Sequence, residues 1–298
     1  MNLTGSIVAL VTPFNSNGSI NYEKIGELIE FHIENQTDGI LILGTTGESP
    51  TISAEEQREI VRHTVAHAKG RIHIMVGSGC NSTAKTVKRS QEFEQLGVDS
   101  LLVITPYYNK ANETGMVKHF EAVANAVNIP IILYNVPGRT GCSISPSAIK
   151  TLSKRPQIAG IKEASGDISY AMTLAPHLSD TFVMYSGNDD IIVPLLSIGA
   201  IGVISVWANV MPQAVHDVVS SYLNGNPHKS LEIQLQNLDF INALFVEVNP
   251  IPVKYVMNEL GFDVGIFRAP LDEPSFENRE ILRTLMDTHI QSGFLTRP

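Results

Sequence analysis

Eight short apolar runs rich in β-branched residues recur through the first two thirds of this 298-residue chain, at residues 7–11, 39–43, 72–76, 101–104, 131–134, 158–161, 182–185 and 202–206. Each is nearly continuous in apolar character. A strand made from such a run is covered on both faces, which is the situation of strands in parallel sheets and not of half-solvated hairpins. Amphipathic stretches lie between them, at 21–35, 53–69, 82–96 and 113–127 among others, so that a strand returns every thirty residues or so, more often later on. Helix starts are marked by Ser53 with Glu56 three residues on, and by Ser145 followed by Pro146. In the first a hydroxyl and a carboxylate each accept from an N–H the opening turn leaves unpaired; in the second the proline has no N–H to leave unpaired.

Eight βα units in a row predict a closed barrel, the (β/α)8 TIM barrel of the α/β class. An open doubly wound sheet usually has fewer strands and carries a glycine-rich dinucleotide turn after its first one, whereas here the first run ends in Thr12-Pro13-Phe14. After residue 206 the strand signals stop, and 212–298 reads as helical with breaks at 224–227, 249–252 and 261–270. The predicted organisation is a barrel over residues 1–225 and a helical C-terminal extension over 226–298.

The 43% apolar and 17% charged residues are those of a folded globular chain. A net charge of −9 and a pI near 5.5 argue against a nucleic-acid partner, which would need clustered Lys and Arg. The two cysteines, Cys80 and Cys142, sit in glycine-rich segments that read as loops and make no disulfide framework. No apolar run is long enough to span a bilayer, and no cationic segment precedes the first one. These features predict a cytoplasmic protein acting on small molecules, without membrane or nucleic-acid partners.

Catalytic groups of such barrels stand at the carboxyl ends of the strands. Lys162 closes the sixth run, where an apolar cavity would favour a neutral, nucleophilic amine; taken alone, a lysine there reads first as one snorkelling from a strand end, and the barrel topology and its neighbours shift that reading. Tyr134 ends the neighbouring fifth run and could pass protons, or could be a core tyrosine with a satisfied hydroxyl. Gly44-Thr45-Thr46-Gly47-Glu48-Ser49 follows the second run and can turn N–H groups toward a carboxylate. It lacks the lysine of a nucleotide loop. Arg139, in the loop after Tyr134, could clamp a carboxylate bidentately or be a solvated loop arginine. Tyr107 and Tyr108 follow the fourth run in an exposed-loop position, where subunit contact competes with catalysis. His63 and His67 have helical spacing but no accompanying metal motif and read as a solvated pair. Asp189-Asp190 reads as a helix start whose carboxylates favour the dipole.

Taken in order, the Gly44–Ser49 string, Thr105-Pro106-Tyr107-Tyr108-Asn109, Tyr134-Asn135-Val136-Pro137-Gly138-Arg139-Thr140-Gly141, Ile161-Lys162-Glu163-Ala164 and Asn249-Pro250-Ile251-Pro252-Val253-Lys254 resemble the dihydrodipicolinate synthase family over essentially the whole chain. The resemblance implies a Schiff base between Lys162 and pyruvate, whose enamine attacks aspartate semialdehyde at the entry to the diaminopimelate and lysine pathway. It implies a proton relay of Tyr134, Thr46 and Tyr108, the last from a neighbouring subunit of a homodimer or homotetramer. Thr45 and Thr46 would contact the pyruvate carboxylate, Arg139 the semialdehyde carboxylate, and Gly187 and Ile204 would set main-chain carbonyls near the site, with no metal or organic cofactor. Another pyruvate aldolase, such as N-acetylneuraminate lyase or a sugar-acid aldolase, would share the lysine and tyrosine; Thr45-Thr46 and Arg139 favour the synthase. A non-catalytic regulatory barrel would have lost the lysine or the tyrosine, and neither is lost.

The same resemblance implies an effector site for lysine near Tyr107. Ser49, Gly79, Asn81 and Tyr107 match it, while Ala54 and Gln57 stand where sensitive members have histidines and Lys85 stands where they have a glutamate. Poor lysine binding is the expectation.

Overall fold

The computed structural model describes residues 3–297. Strands β1 (Gly5–Ala9), β2 (Gly39–Ile42), β3 (His73–Gly77), β4 (Ser100–Ile104), β5 (Ile131–Asn135), β6 (Ile158–Glu163), β7 (Val183–Ser186) and β8 (Ala200–Ser205) pair in chain order, all parallel. The β1–β8 pairing, with Ile7 opposite Ile204, closes the barrel. The eight apolar runs are these strands, displaced by one or two residues at their ends. Helices α1 (Tyr22–Glu34), α2 (Ala54–Ala68), α3 (Thr83–Gln95) and α4 (Glu113–Ala124) surround the first half. The turn α5 (Pro137–Thr140), then α6 (Pro146–Leu152), α7 (Ile168–Leu174) and α8 (Ile192–Ser197) accompany the second.

Helix α9 (Pro212–Leu223) packs on β1 and β8. It is followed by α10 (Pro227–Gln236), α11 (Leu238–Ala243), α12 (Ile251–Leu260) and α13 (Phe276–Gln291). The three breaks expected after residue 212 are present, with a further one at Asn237, the N-cap of α11. The helix starts behave as their residues require. Ser53 Oγ accepts from the Glu56 N–H at 3.3 Å while Glu56 Oε2 accepts from the Ser53 N–H at 2.9 Å, a reciprocal cap of the kind that contributes about 1 kcal/mol. Ser145 caps α6 in the same sense, ahead of Pro146.

Two layers of side chains build the core. Ile7, Ala9, Leu41, Met75, Leu102 and Ile132 fill the barrel interior, while the alternate residues Val8, Ile40, Ile42, Val76, Leu101 and Leu133 pack outward against the helices. On β6 the alternation breaks, because Ala159 and Lys162 both face inward though three residues apart. The register between β5 and β6 slips there, from Ile131 opposite Ile158 to Ile132 opposite Gly160. The slip turns Lys162 into the barrel beside Tyr134. It also needs a glycine: a Cβ on Gly160 would lie 2.5 Å from the Val183 carbonyl oxygen.

Two sequence expectations need correction. His63 and His67 are not solvated but half-buried between α1 and α2, His63 with its ring centroid 5.4 Å from that of Tyr22 and His67 Nε2 2.8 Å from Glu30 Oε1. The apolar stripe of α2 leaves a face that a second helix covers, which the pattern within one helix does not reveal. Asp189 does not serve the dipole of the segment it begins. It is buried, and its Oδ2 accepts from the N–H groups of Val206 and Trp207, both at 2.9 Å, at the end of β8. Cys80 and Cys142 are both free thiols, and no described helix is long and apolar enough to cross a membrane.

Candidate active site

Lys162 stands one residue from the carboxyl end of β6, opposite Tyr134 on β5 and Tyr185 on β7. It is 5% exposed. Burial pushes its amine down to about 7, the Asp189 carboxylate opposing and the Arg139 charge adding to the effect. An amine so held is partly neutral near neutral pH, as a nucleophile toward a ketone must be. Its Nζ lies 4.6 Å from the Tyr134 ring centroid. Burial pushes the Tyr134 phenol up, against the pull of Arg139 and a hydrogen bond with Thr45, so it stays protonated and available as a donor.

Thr45 and Thr46 occupy the turn between β2 and a short 3-10 segment, Ser49–Thr51. Leu43 and Glu48, which flank this turn, both have left-handed backbones with φ 55. Non-glycine residues hold that conformation only where their surroundings impose it, at a cost of about 1–3 kcal/mol each. Thr46 Oγ1 accepts from Asn249 Nδ2 at 3.0 Å, which leaves its own proton free to be donated. Arg139 is exposed on α5 and donates from Nη2 to the Asn249 carbonyl at 3.3 Å. Asn249 therefore joins the threonine turn to the arginine loop.

Gly187 lies against the lysine stem: a Cβ there would stand 3.0 Å from Lys162 Cε and 2.5 Å from Ala164 Cβ. Ile204 is fully buried in the inner layer with Tyr134 and Tyr185. The fold thus gathers Lys162, Tyr134, Thr45, Thr46, Arg139, Gly187 and Ile204 at one end of the barrel. Tyr108 is not brought in. It is 86% exposed on the loop after β4, with φ 67.

The family model described as the Dihydrodipicolinate synthetase family matches residues 2–289. The chain belongs to that family. A 4-hydroxy-tetrahydrodipicolinate synthase of Clostridium tetani is 50% identical over 286 residues, which is 96% of this chain and 97% of that one. A crystal structure of dihydrodipicolinate synthase from Aquifex aeolicus superposes with a TM-score of 0.94 at 40% identity, covering 99% and 100% of the two chains. The Cyanidioschyzon merolae enzyme with lysine bound superposes with a TM-score of 0.94 at 35% identity, covering 98% and 99%.

In this member of the dihydrodipicolinate synthetase family, several polar residues around the site escaped the reading of the sequence. Asp189, already described, is held up by burial. Glu163, next to Lys162, accepts from Asn135 Nδ2 at 2.8 Å and from the Ser165 N–H at 2.6 Å, and burial raises its carboxyl. Glu48 and Lys254 form an ion pair with Nζ 2.7 Å from Oε1, both side chains 0% exposed. Within the sequence, Glu48 and Lys254 stand in motifs more than two hundred residues apart, with no sign that they pair. A carboxylate in a turn whose other members are small, and a lysine within the apolar stretch Ile251–Met257, are the signals the sequence offers.

A cleft of about 390 Å³ opens beside the site. It reaches Thr45 and Tyr134 but not Lys162, and its outer wall includes Ala54, Gln57, Lys85 and Tyr107. The positions singled out for an effector therefore do share one cleft. Lys85 stands in the first turn of α3 and is exposed. Among the described residues no group of three His, Cys, Asp or Glu side chains could hold a metal ion.

Proposed function

We propose that this chain condenses pyruvate with L-aspartate-4-semialdehyde through an imine on Lys162, giving 4-hydroxy-tetrahydrodipicolinate at the first committed step of the diaminopimelate and lysine pathway. The observation that carries the mechanism is a buried lysine, with its amine at about 7, facing a protonated tyrosine across paired strands. Nζ adds to the pyruvate carbonyl, and the carbinolamine loses water to give a protonated imine. That imine draws electrons from the methyl carbon, which gives up a proton to become an enamine. The enamine carbon bonds to the aldehyde carbon while the aldehyde oxygen takes a proton. Attack of the semialdehyde's amino group on the imine carbon closes the ring and releases Lys162.

Tyr134 carries protons for these steps together with Thr46, whose hydroxyl is positioned by Asn249, and with Tyr108. Thr45 and Thr46 bind the pyruvate carboxylate, Arg139 binds the carboxylate of the semialdehyde, and Gly187 and Ile204 supply main-chain carbonyls beside the lysine. Tyr108 acts in the site of a neighbouring subunit of a homodimer or homotetramer, a reading supported by its exposure on its own subunit. Residues 1–225 carry the barrel chemistry and 226–298 brace it. The two free thiols fit a reducing cytoplasm.

Borohydride reduction in the presence of pyruvate tests the mechanism. A reduced pyruvyl adduct on Lys162, absent in Lys162→Ala, is expected; no adduct on the native protein would exclude it. Turnover with aspartate semialdehyde set against N-acetylmannosamine as acceptor tests the substrate.

A further inference from the structure

The reaction just described makes no use of the buried ion pair Glu48–Lys254. Glu48 and Lys254 are 206 residues apart in sequence and wholly buried together. Their contacts are all structural in direction. Lys254 Nζ donates to Glu48 Oε1 at 2.7 Å, to the Ile266 carbonyl at 2.8 Å and to the Thr12 carbonyl at 3.2 Å, and it lies 4.6 Å from the Phe14 ring centroid. Glu48 Oε2 accepts from the Arg268 N–H at 3.2 Å. Thr12 in turn donates from Oγ1 to the Gly47 carbonyl at 2.7 Å. The end of β1, the turn after β2 and the segment around α12 are joined at one point.

Burying two charges has no assured yield in stability, because desolvation opposes the attraction between them. A pair kept under those conditions asks what else it does. Glu48 is one of the two left-handed residues that flank Gly44–Gly47, and it follows Thr46 by two positions. Left-handed backbone at a non-glycine residue relaxes unless its neighbours hold it. Among the described residues, the only charged side chain bonded to the Glu48 carboxylate is Lys254. Lys254 belongs to α12, whose N-terminal flank is the Asn249 that hydrogen-bonds Thr46. One segment therefore grips the turn twice, through the Glu48 carboxylate and through the Thr46 hydroxyl.

We propose that the Glu48–Lys254 pair is a positioning device for pyruvate: it clamps the threonine turn to α12 and so fixes where Thr45 and Thr46 meet the substrate carboxylate. This rests on the Schiff-base reading given above. Glu48 and Lys254 are positioning residues, since neither reaches Lys162. A clamp acting through the carboxylate subsite bears on pyruvate first; Arg139 is tied to it only through the Asn249 main-chain carbonyl, so the second substrate is affected far less, and that asymmetry separates the clamp from a general loss of structure.

The test is Glu48→Gln/Lys254→Met, which removes both charges at similar volume and keeps an acceptor for the Arg268 N–H. With the circular dichroism spectrum unchanged, the KM for pyruvate is expected to rise about tenfold or more, with slower borohydride-trapped imine formation, while the KM for aspartate semialdehyde stays within about twofold. If the double variant does not fold, Glu48→Asp decides, because it keeps the charges but shortens the arm that holds the turn; the same pyruvate-selective rise is expected. A folded variant with native pyruvate KM and trapping rate overturns the clamp while leaving the Schiff base standing. Absence of a trapped adduct in the native protein overturns both.

Discussion

Lys162 and Tyr134 face each other in register across β6 and β5, the amine nitrogen 4.6 Å from the centre of the phenol ring. A ring face favours the ammonium form, but burial outweighs it and brings the amine to about 7. The pair thus sets a partly neutral amine beside a phenol that keeps its proton near neutral pH.

The sign of the pH dependence follows. Imine formation needs the neutral amine, so its rate should rise with pH through about 7 and then level off. Asp189 favours the ammonium, so Asp189→Asn should move this limb to lower pH; Arg139 disfavours it, so Arg139→Ala should move it to higher pH. Rapid-quench borohydride trapping across pH measures the limb, and a native midpoint near 10.4, the ordinary value for lysine, would contradict the assignment.

Arg139→Ala should raise the KM for aspartate semialdehyde far more than that for pyruvate. Loss of hydrogen bonds to a charged group costs about 1.5–3 kcal/mol, or roughly ten- to a hundredfold in affinity. Steady-state kinetics with each substrate varied in turn decides, and equal effects on both would remove Arg139 from the acceptor subsite.

Tyr108, exposed on its own subunit, should complement across subunits. Tyr108→Phe and Lys162→Ala proteins, each nearly inactive, should regain activity when mixed under conditions of proven subunit exchange. Exchange without recovery would keep Tyr108 out of the neighbour's site.

Lysine should inhibit poorly. Lys85, on the wall of the cleft that also holds Tyr107, presents a cation to the effector's ammonium, and two like charges about 4 Å apart repel by ~1 kcal/mol in water and ~4 kcal/mol at an effective dielectric near 20. Because Lys85 is exposed, the lower end applies and the missing partners at Ala54 and Gln57 carry the rest. Titration with millimolar lysine should leave the rate near its starting value, and strong inhibition at submillimolar lysine would reverse this reading.

Gly160→Ala should destabilise the barrel and disturb the lysine together. The added Cβ meets a backbone oxygen at 2.5 Å, and overpacking of this kind costs about 1–3 kcal/mol. Thermal melts and imine trapping on the same protein check it; a native melting temperature with native trapping would mean that the register slip tolerates a side chain.

Much of this was legible in the sequence because it depends on neighbours along the chain. Apolar continuity marked each strand, the count of eight marked the closed barrel, and Ser53 with Glu56 marked a helix start, since each signal arises within a few residues of backbone. The sequence also determined which residues end the strands, and so placed Lys162 and Tyr134 at the carboxyl-end rim of the barrel, together with the family to which the ordered motifs point.

Tertiary structure alone decided which charge meets which. Periodicity carries no information about a partner 206 residues away, so Glu48 and Lys254 could be recognised as a pair only once α12 lay under the turn after β2. Asp189 read as a local cap until barrel closure put it under the N–H groups ending β8. The inward aim of Lys162 is of the same kind: a run that is apolar on both faces has no phase of its own, and the one-residue slip against β5 sets it.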